Sequence, residues 1–297
     1  MDARLWFMET RPHFLLLSVV LVFLGTSVAV YHGFFNPLHF LMALAGLLLV
    51  HASVNVLNDY WDYKTGIDLM AERTPFSGGS GLLPAGLLRP VSVYRFGVGC
   101  LLLAVPIAAY FVAVKGVLLV PILVLGALFV YFYTTHFARW LVGELSAGLG
   151  LGALPVLGAY FVQTGFYSWD AAVASVPALI LTHNLLFLNE FPDVEPDRAG
   201  RRRNLVLSLG KRKAGRLYVA LSLGMYLWII GSTAAGFMPI PALLGLLTFP
   251  WGMKAVREAW KGLLEKEKVV PALAANVLVV LGTQALLGVG YLVAFFL

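Results

Sequence analysis

Two short stretches of a hydrocarbon-rich chain carry the residues with chemistry to offer. NDYWD, Asn58 to Asp62, ends one long apolar run, and NEFPD, Asn189 to Asp193, ends another. Both read Asn-[Asp/Glu]-x-x-Asp. Each is followed by a further acid, Asp68 or Asp197, and then by basic residues. Residues four apart share one face of a helix, so Asn58 and Asp62 project together. Asp59 points about 100° away. Asn189 and Asp193 pair in the same way only if the helix runs through Pro192, a residue that marks a kink or a last turn. Oxygen donors gathered at two helix ends suit a hard cation, above all Mg²⁺. Mg²⁺ dehydrates reluctantly and binds through one or two carboxylates together with substrate phosphates.

Basic residues complete that chemistry. Lys64 and Arg73 follow the first motif; Arg198, Arg201, Arg202 and Arg203 follow the second. Guanidinium forks match phosphate oxygens, and lysine acts as a point charge. Carboxylates alone would repel a diphosphate, whereas carboxylates with a divalent cation and basic groups would hold one. The stretch SGGSG, Ser77 to Gly81, reads either as a connector or as a nest of backbone N–H donors.

The elements that must position these groups are membrane helices. The chain of 297 residues is 60% hydrophobic and 12% charged, against about a quarter charged in soluble domains. Continuous apolar runs, rather than alternating ones, exclude a transmembrane barrel. Nine spans are expected, at 12–32, 38–58, 92–114, 116–135, 142–162, 169–189, 215–235, 239–256 and 271–296. Of the 21 Lys and Arg, all but Lys115 fall in the N-terminal segment or in and beside the loops after helices 2, 4, 6 and 8. That bias places the N-terminus and those loops in the cytoplasm and the C-terminus on the opposite side. The acids follow the same partition, Glu72 included, with Asp170 alone on the far side. The expectation is one all-α domain over 1–297, integral to the cell membrane. It has two weakly similar halves, about 1–135 and 136–297, and cytoplasmic cap loops. Arg4, Glu9 and Arg11 before the first span argue against a signal peptide. Cys100, the single cysteine, reads as a small buried hydrophobe.

NDYWDYKTGID and NEFPDVEPDRAGRRRNLVLSLG resemble the two Asp-rich motifs of the UbiA superfamily of intramembrane prenyltransferases. TRPHFL from Thr10 and YTTHFARWLVGEL from Tyr133 extend the likeness, which is nearest to the MenA-like 1,4-dihydroxy-2-naphthoate polyprenyltransferases. The chain departs at Asn204, where that group commonly has threonine, and over Arg73 to Gly86.

The resemblance implies a ring of nine helices and Mg²⁺-dependent transfer of a polyprenyl group from an isoprenyl diphosphate to an aromatic acceptor of the menaquinone pathway. Its partners would be that diphosphate, a small aromatic or lipid-like acceptor and membrane lipid, with no nucleic acid. The metal-facing candidates are Asn58, Asp62, Asp68, Asn189, Asp193 and Asp197. The catalytic candidates are Asn58, Asp62, Asp193, Asp197 and Tyr133. The diphosphate candidates are Lys64, Arg73, Arg202 and Arg203, with Arg11 and Arg139 in reach of the diphosphate or an acceptor carboxylate. Tyr133 either polarises the acceptor and shields an allylic cation, or anchors at the interface. His51, His183 and Asn184 read as polar contacts between helices. Glu144 is a functional candidate or a snorkelling acid. The alternatives are another acceptor, 4-hydroxybenzoate or geranylgeranylglyceryl phosphate, and, from another class, an ion-coupled secondary transporter.

Overall fold

The computed structural model describes residues 2–71, 73–74, 76, 78–262 and 269–297. The readings made for Glu72, Ser77, Lys266 and Lys268 lie outside these residues. The described residues form helices and turns, with no strand among them. In chain order the longer helices are α1 (Leu16–Tyr31), α2 (Pro37–Thr65), α3 (Pro90–Lys115), α4 (Val120–Phe132), α5 (Gly143–Thr164), α6 (Trp169–Asn189), α7 (Lys211–Ala234), α8 (Phe249–Gly262) and α9 (Val269–Phe295). Six of them, α2, α3, α5, α6, α7 and α9, are long and apolar enough to cross a membrane. The first expected span begins late, at Leu16, after a separate short helix Ala3–Glu9. The eighth is not one α-helix: Ile240–Thr248 winds as a 3₁₀-helix before α8. Pro250 has no N–H to give the Leu246 carbonyl, and Phe249 N donates there instead, tightening the turn.

Local rules set the ends that matter. Asn36 Oδ1 accepts from Leu38 N at 3.0 Å and His39 N at 3.1 Å, with Pro37 at the first position of α2. That cap and first-turn proline launch the helix. Gly66, at φ +80°, stops it 29 residues later in the left-handed conformation. α2 therefore carries the whole NDYWD stretch on its last two turns.

Each longer helix packs against its neighbours in sequence, and α9 returns to pack against α1, so the helices close into a ring. α1 also packs on α5 and α6. α5 is interrupted by a π turn at Leu149–Ala153. Just before and within that turn, glycine lets α5 lie directly on α6. A Cβ at Gly148 would stand 2.7 Å from Leu179 O, and one at Gly152 would stand 2.6 Å from Ala178 O. Leu21, Leu24, Val156, Tyr160, Ile229 and Leu287 form the centre of the packing. Leu103, Val117 and Ile240 face outward, 64%, 69% and 76% exposed, as a surface solvated by lipid requires. At the end remote from the motifs, His32 Nε2 meets Asp170 Oδ2 at 2.7 Å and Nδ1 meets Tyr160 Oη at 2.8 Å, tying α1, α5 and α6 together. Asp170, the acid set apart in sequence, has a structural partner there.

Candidate active site

The last turns of α2 and the end of α6 open on one cavity of about 200 Å³. Asn58, Asp62, Asp68, Asn189, Asp193 and Asp197 all line it, as do Tyr133, Arg11 and Arg202. Two motifs 131 residues apart in sequence thus share one space.

The first motif is presented by a continuous helix. Asn58 Nδ2 donates to Thr134 Oγ1 at 3.2 Å, and the buried Asp62 carboxylate faces Arg202. Asp59 turns the other way. Its Oδ2 accepts from Ser80 N at 2.7 Å, and its Oδ1 lies 3.6 Å from Arg11 Nη1. Asp68 lies in a one-turn helix, Ile67–Met70, rather than in open loop, because Gly66 reverses the chain and a new turn starts at once. The glycine stretch folds over these acids. Gly79 sits at φ +67°, and a Cβ there would stand 2.6 Å from Asp68 Oδ2. Gly79 and Ser80 therefore pack against carboxylates, with Ser80 Oγ donating to Glu9 Oε2 at 2.8 Å, while Gly81 packs against Arg73.

The second motif is broken. α6 ends at Asn189, and Asp193 stands at the start of the short helix Val194–Ala199. Pro192 falls in the turn between them, so Asn189 and Asp193 do not share a helix face. They converge through the turn instead. Asn189 Oδ1 is buried without a hydrogen-bond partner among the described residues. Asp197 Oδ2 accepts from Asn204 Nδ2 at 2.8 Å. Asn204, the departure from the resembled pattern, thereby orients a motif acid.

Arg202 joins the halves. Its Nη2 pairs with Asp62 Oδ1 and its Nη1 lies 3.3 Å from Asp197 Oδ1. Burial pushes the guanidinium down, but Asp62 and Asp197 outweigh that and hold it above its ordinary value. Burial, then the charges of Asp62 and Asp59, pushes Asp68 up to about 8. Burial also raises Asp197, to about 6, against the opposing pull of Arg202. Tyr133 is held well above its usual range, chiefly by burial, and remains a hydroxyl donor.

The other basic candidates are not gathered in. Lys64 is exposed, its Nζ 5.4 Å from the Tyr60 ring centre. Arg73 is exposed and donates from Nη2 to Ser80 O. Arg139 is exposed in a 3₁₀ turn, and Arg203 is exposed with its backbone N donating to Ala138 O at 3.0 Å. Arg11 enters because its backbone takes φ +55°, a conformation uncommon outside glycine. It also stacks on Phe14 at 4.6 Å.

Several lining or supporting residues were not singled out as site residues in the sequence. His51 lines the cavity, its Nδ1 2.9 Å from Ser18 Oγ. Asn55 lines it and donates to Thr10 O at 2.9 Å. Glu190, second in NEFPD, lines it too and is raised well above its ordinary value by burial and then by Glu144. Glu144 is fully enclosed, and its Oε1 accepts from Leu205 N at 2.5 Å. It anchors the segment after the second motif instead of snorkelling.

A hard cation fits this donor set. The ligands are all oxygen, the carboxylates are in electrostatic excess around Asp68, and an orphaned amide oxygen, Asn189 Oδ1, is at hand. Among the described residues no three carboxylates converge on one point. A few carboxylate and amide oxygens of this kind suit an ion that keeps waters and shares phosphate oxygens, the habit of Mg²⁺.

The fold agrees with known proteins. The UbiA prenyltransferase family matches residues 18–268. A 1,4-dihydroxy-2-naphthoate octaprenyltransferase from Bacillus subtilis is 28% identical over 307 residues, covering 100% of this chain and 94% of that protein. UbiA prenyltransferase domain-containing protein 1 of Xenopus tropicalis is 30% identical over 259 residues, covering 84% and 71%. A UbiA homologue from Archaeoglobus fulgidus, solved with DMAPP and Mg²⁺, superimposes with a TM-score of 0.66 at 14% identity, covering 96% of this chain and 99% of that one. A carrier finds no support in these matches. With the paired motifs in one cavity inside a helical ring, and the family matched over most of its length, the chain belongs to the UbiA prenyltransferase family.

Proposed function

We propose that the chain transfers a polyprenyl group from an isoprenyl diphosphate to a 1,4-dihydroxy-2-naphthoate-like acceptor, with Mg²⁺. The observation that carries this reading is the single cavity shared by both acidic motifs and bridged by Arg202. The acceptor and the cation rest on the relatives' names.

Asn58, Asp62, Asp68, Asn189, Asp193 and Asp197 would hold the cation. When bound, Mg²⁺ supplies positive charge to the departing diphosphate. Arg202 and Arg11 carry the rest of that task from the protein side, as preorganised, largely buried donors. Lys64, Arg73 and Arg203, on the rim, serve capture rather than chemistry. The allylic C–O bond breaks, and its electron pair leaves with the diphosphate. Tyr133 and Phe129 wall the cavity against water where the cation is exposed. An electron-rich ring carbon then attacks to form the C–C bond, and loss of that carbon's proton or carboxyl group restores the aromatic ring.

The proposed topology has nine spans. α1, α4 with its leading turn Val117–Leu119, and the composite of Ile240–Thr248 with α8 join the six longer helices. The motifs face the cytoplasm of a cell membrane and the C-terminus faces away. In the test, purified protein receives Mg²⁺, an isoprenyl diphosphate and an acceptor panel that includes 4-hydroxybenzoate and geranylgeranylglyceryl phosphate. Diphosphate release and prenylated product are measured. Turnover should need Mg²⁺, favour the naphthoate, and vanish in Asp62→Ala and Asp193→Ala. Full turnover in either variant sinks the reading.

A further inference from the structure

A second cavity, of about 350 Å³, lies between α2, α3, α4 and α5, and every side chain lining it is apolar. It touches the polar cavity at two residues that line both, Gly126 on α4 and Gly150 in the π turn of α5. Its lining includes Val105 and Val124, which reach the outer surface at 54% and 50% exposed. A hydrocarbon passage therefore runs from beside the metal-facing acids to the lipid.

Gly126 has no packing reason to be glycine. A Cβ there would meet nothing within 4 Å, and the residue sits inside a helix, where glycine costs about 1 kcal/mol relative to alanine. Gly99, Gly224 and Gly231 are equally uncrowded, but they line neither cavity. Gly150 is tighter: its Cβ would stand 3.0 Å from Phe129 Cβ. The open side of the junction is thus the Gly126 side, and any side chain there would project into the passage.

We infer that the isoprenoid tail of the diphosphate substrate threads past Gly126 into the apolar cavity, and that the missing side chain at 126 sets which tail lengths the enzyme accepts. The inference rests on the prenyl-transfer reading. Continuity with the acidic site selects this occupant: a diphosphate held at Asp62 and Asp197 places its hydrocarbon beside the apolar cavity that shares Gly126 and Gly150 with the acidic one. A membrane acyl chain lying in the groove is the competing occupant.

The experiment compares geranyl diphosphate with octaprenyl diphosphate as donors for the unaltered protein, Gly126→Leu, Gly158→Leu and Gly231→Leu. Gly158 lines only the apolar cavity, and a Cβ there makes an ordinary 3.7 Å contact with Ile122. It therefore tests the same route even if substitution at 126 impairs folding. Gly231→Leu controls for a helix glycine outside the route. Gly126→Leu should lower the octaprenyl-to-geranyl ratio of kcat/KM by about tenfold or more. Gly158→Leu should show a smaller loss of the same kind, and Gly231→Leu should discriminate as the unaltered protein does. Equal losses with both donors, or full octaprenyl transfer in both groove variants, overturns the tail route. So does native mass spectrometry in which Gly126→Leu sheds a bound lipid while both donors are transferred normally. No turnover of either donor by the unaltered protein overturns prenyl transfer, and the route with it.

Discussion

The two acidic motifs share a sequence logic and differ in backbone. The first rides a helix that continues through Asp62 to Thr65 and turns at a left-handed Gly66. The second is cut at Asn189 and rebuilt on a short helix from Val194. Chain continuity delivers the first set of oxygens, and a proline turn delivers the second. Their second-position acids repeat a device. Asp59 sits near buried Glu9, and Glu190 near buried Glu144, each pair outside the Asp62–Arg202–Asp197 bridge. Two different backbones can present equivalent carboxylates, provided something holds the halves in register. Arg202 does that here.

The comparison breaks first at Arg202. Removing it leaves Asp62 and Asp197 buried without their shared cation, a loss of about 3–5 kcal/mol by the behaviour of broken buried pairs. Arg202→Ala should lower the melting temperature sharply in EDTA, and Mg²⁺ should restore part of the loss, because the divalent ion can neutralise the same carboxylates. Diphosphate affinity should fall as well. Equal melting of Arg202→Ala and the unaltered protein in EDTA would mean that the halves are held together elsewhere.

The course of the helices was legible because hydrocarbon in lipid obeys a short rule: apolar runs of sufficient length become helices. The acids were legible from type and spacing. Which arginines enter the site was not. Arg202 meets Asp62 across 140 residues, and Arg11 depends on a left-handed φ that no periodicity announces. Lys64, beside the first motif, is exposed and lies over the Tyr60 ring. Proximity in sequence selects among helix-face residues, but a long side chain is aimed by tertiary contacts. The SGGSG stretch allowed two readings for the same reason. Its Gly79 and Ser80 lie against acids that only the fold brings beneath them, and Gly81 lies against Arg73.

A smaller effect separates the two backbones directly. In the first copy, Gly79 combines φ +67° with a Cβ position 2.6 Å from Asp68 Oδ2. Gly79→Ala should cost about 1–2 kcal/mol through left-handed strain and displacement of the loop. It should also raise the Mg²⁺ concentration needed for half-maximal turnover by about tenfold, as misoriented ligand partners do. In the second copy, Pro192→Ala removes no N–H donor and costs chiefly the added freedom of the unfolded chain, so it should lose less than about 1 kcal/mol and shift Mg²⁺ dependence less than Gly79→Ala does. If the two substitutions behave alike in thermal melts and Mg²⁺ titrations, the copies are supported in the same way and the contrast is wrong.

A pH-dependent effect tests the carboxylate beside Asp59. Glu9 is enclosed under Ser80, and burial, then the charge of Asp59, raises it from 4.5 to about 7 despite the Ser80 hydrogen bond and Arg11. A carboxyl raised on folding favours the folded state while protonated. Its contribution is complete below 4.5 and disappears as pH rises through about 7. Glu9→Gln keeps an oxygen for the Ser80 hydroxyl and has no charge to develop against Asp59. The unaltered protein should therefore lose about 2 kcal/mol relative to Glu9→Gln between mildly acidic and mildly alkaline buffer. Melting curves of both proteins across that range, with Mg²⁺ absent, should converge at low pH and separate at high pH. Parallel curves would mean that Glu9 already carries its charge in the fold. Asp59 and Arg11 would then be compensating it, and the device repeated beside the second motif would belong to that copy alone.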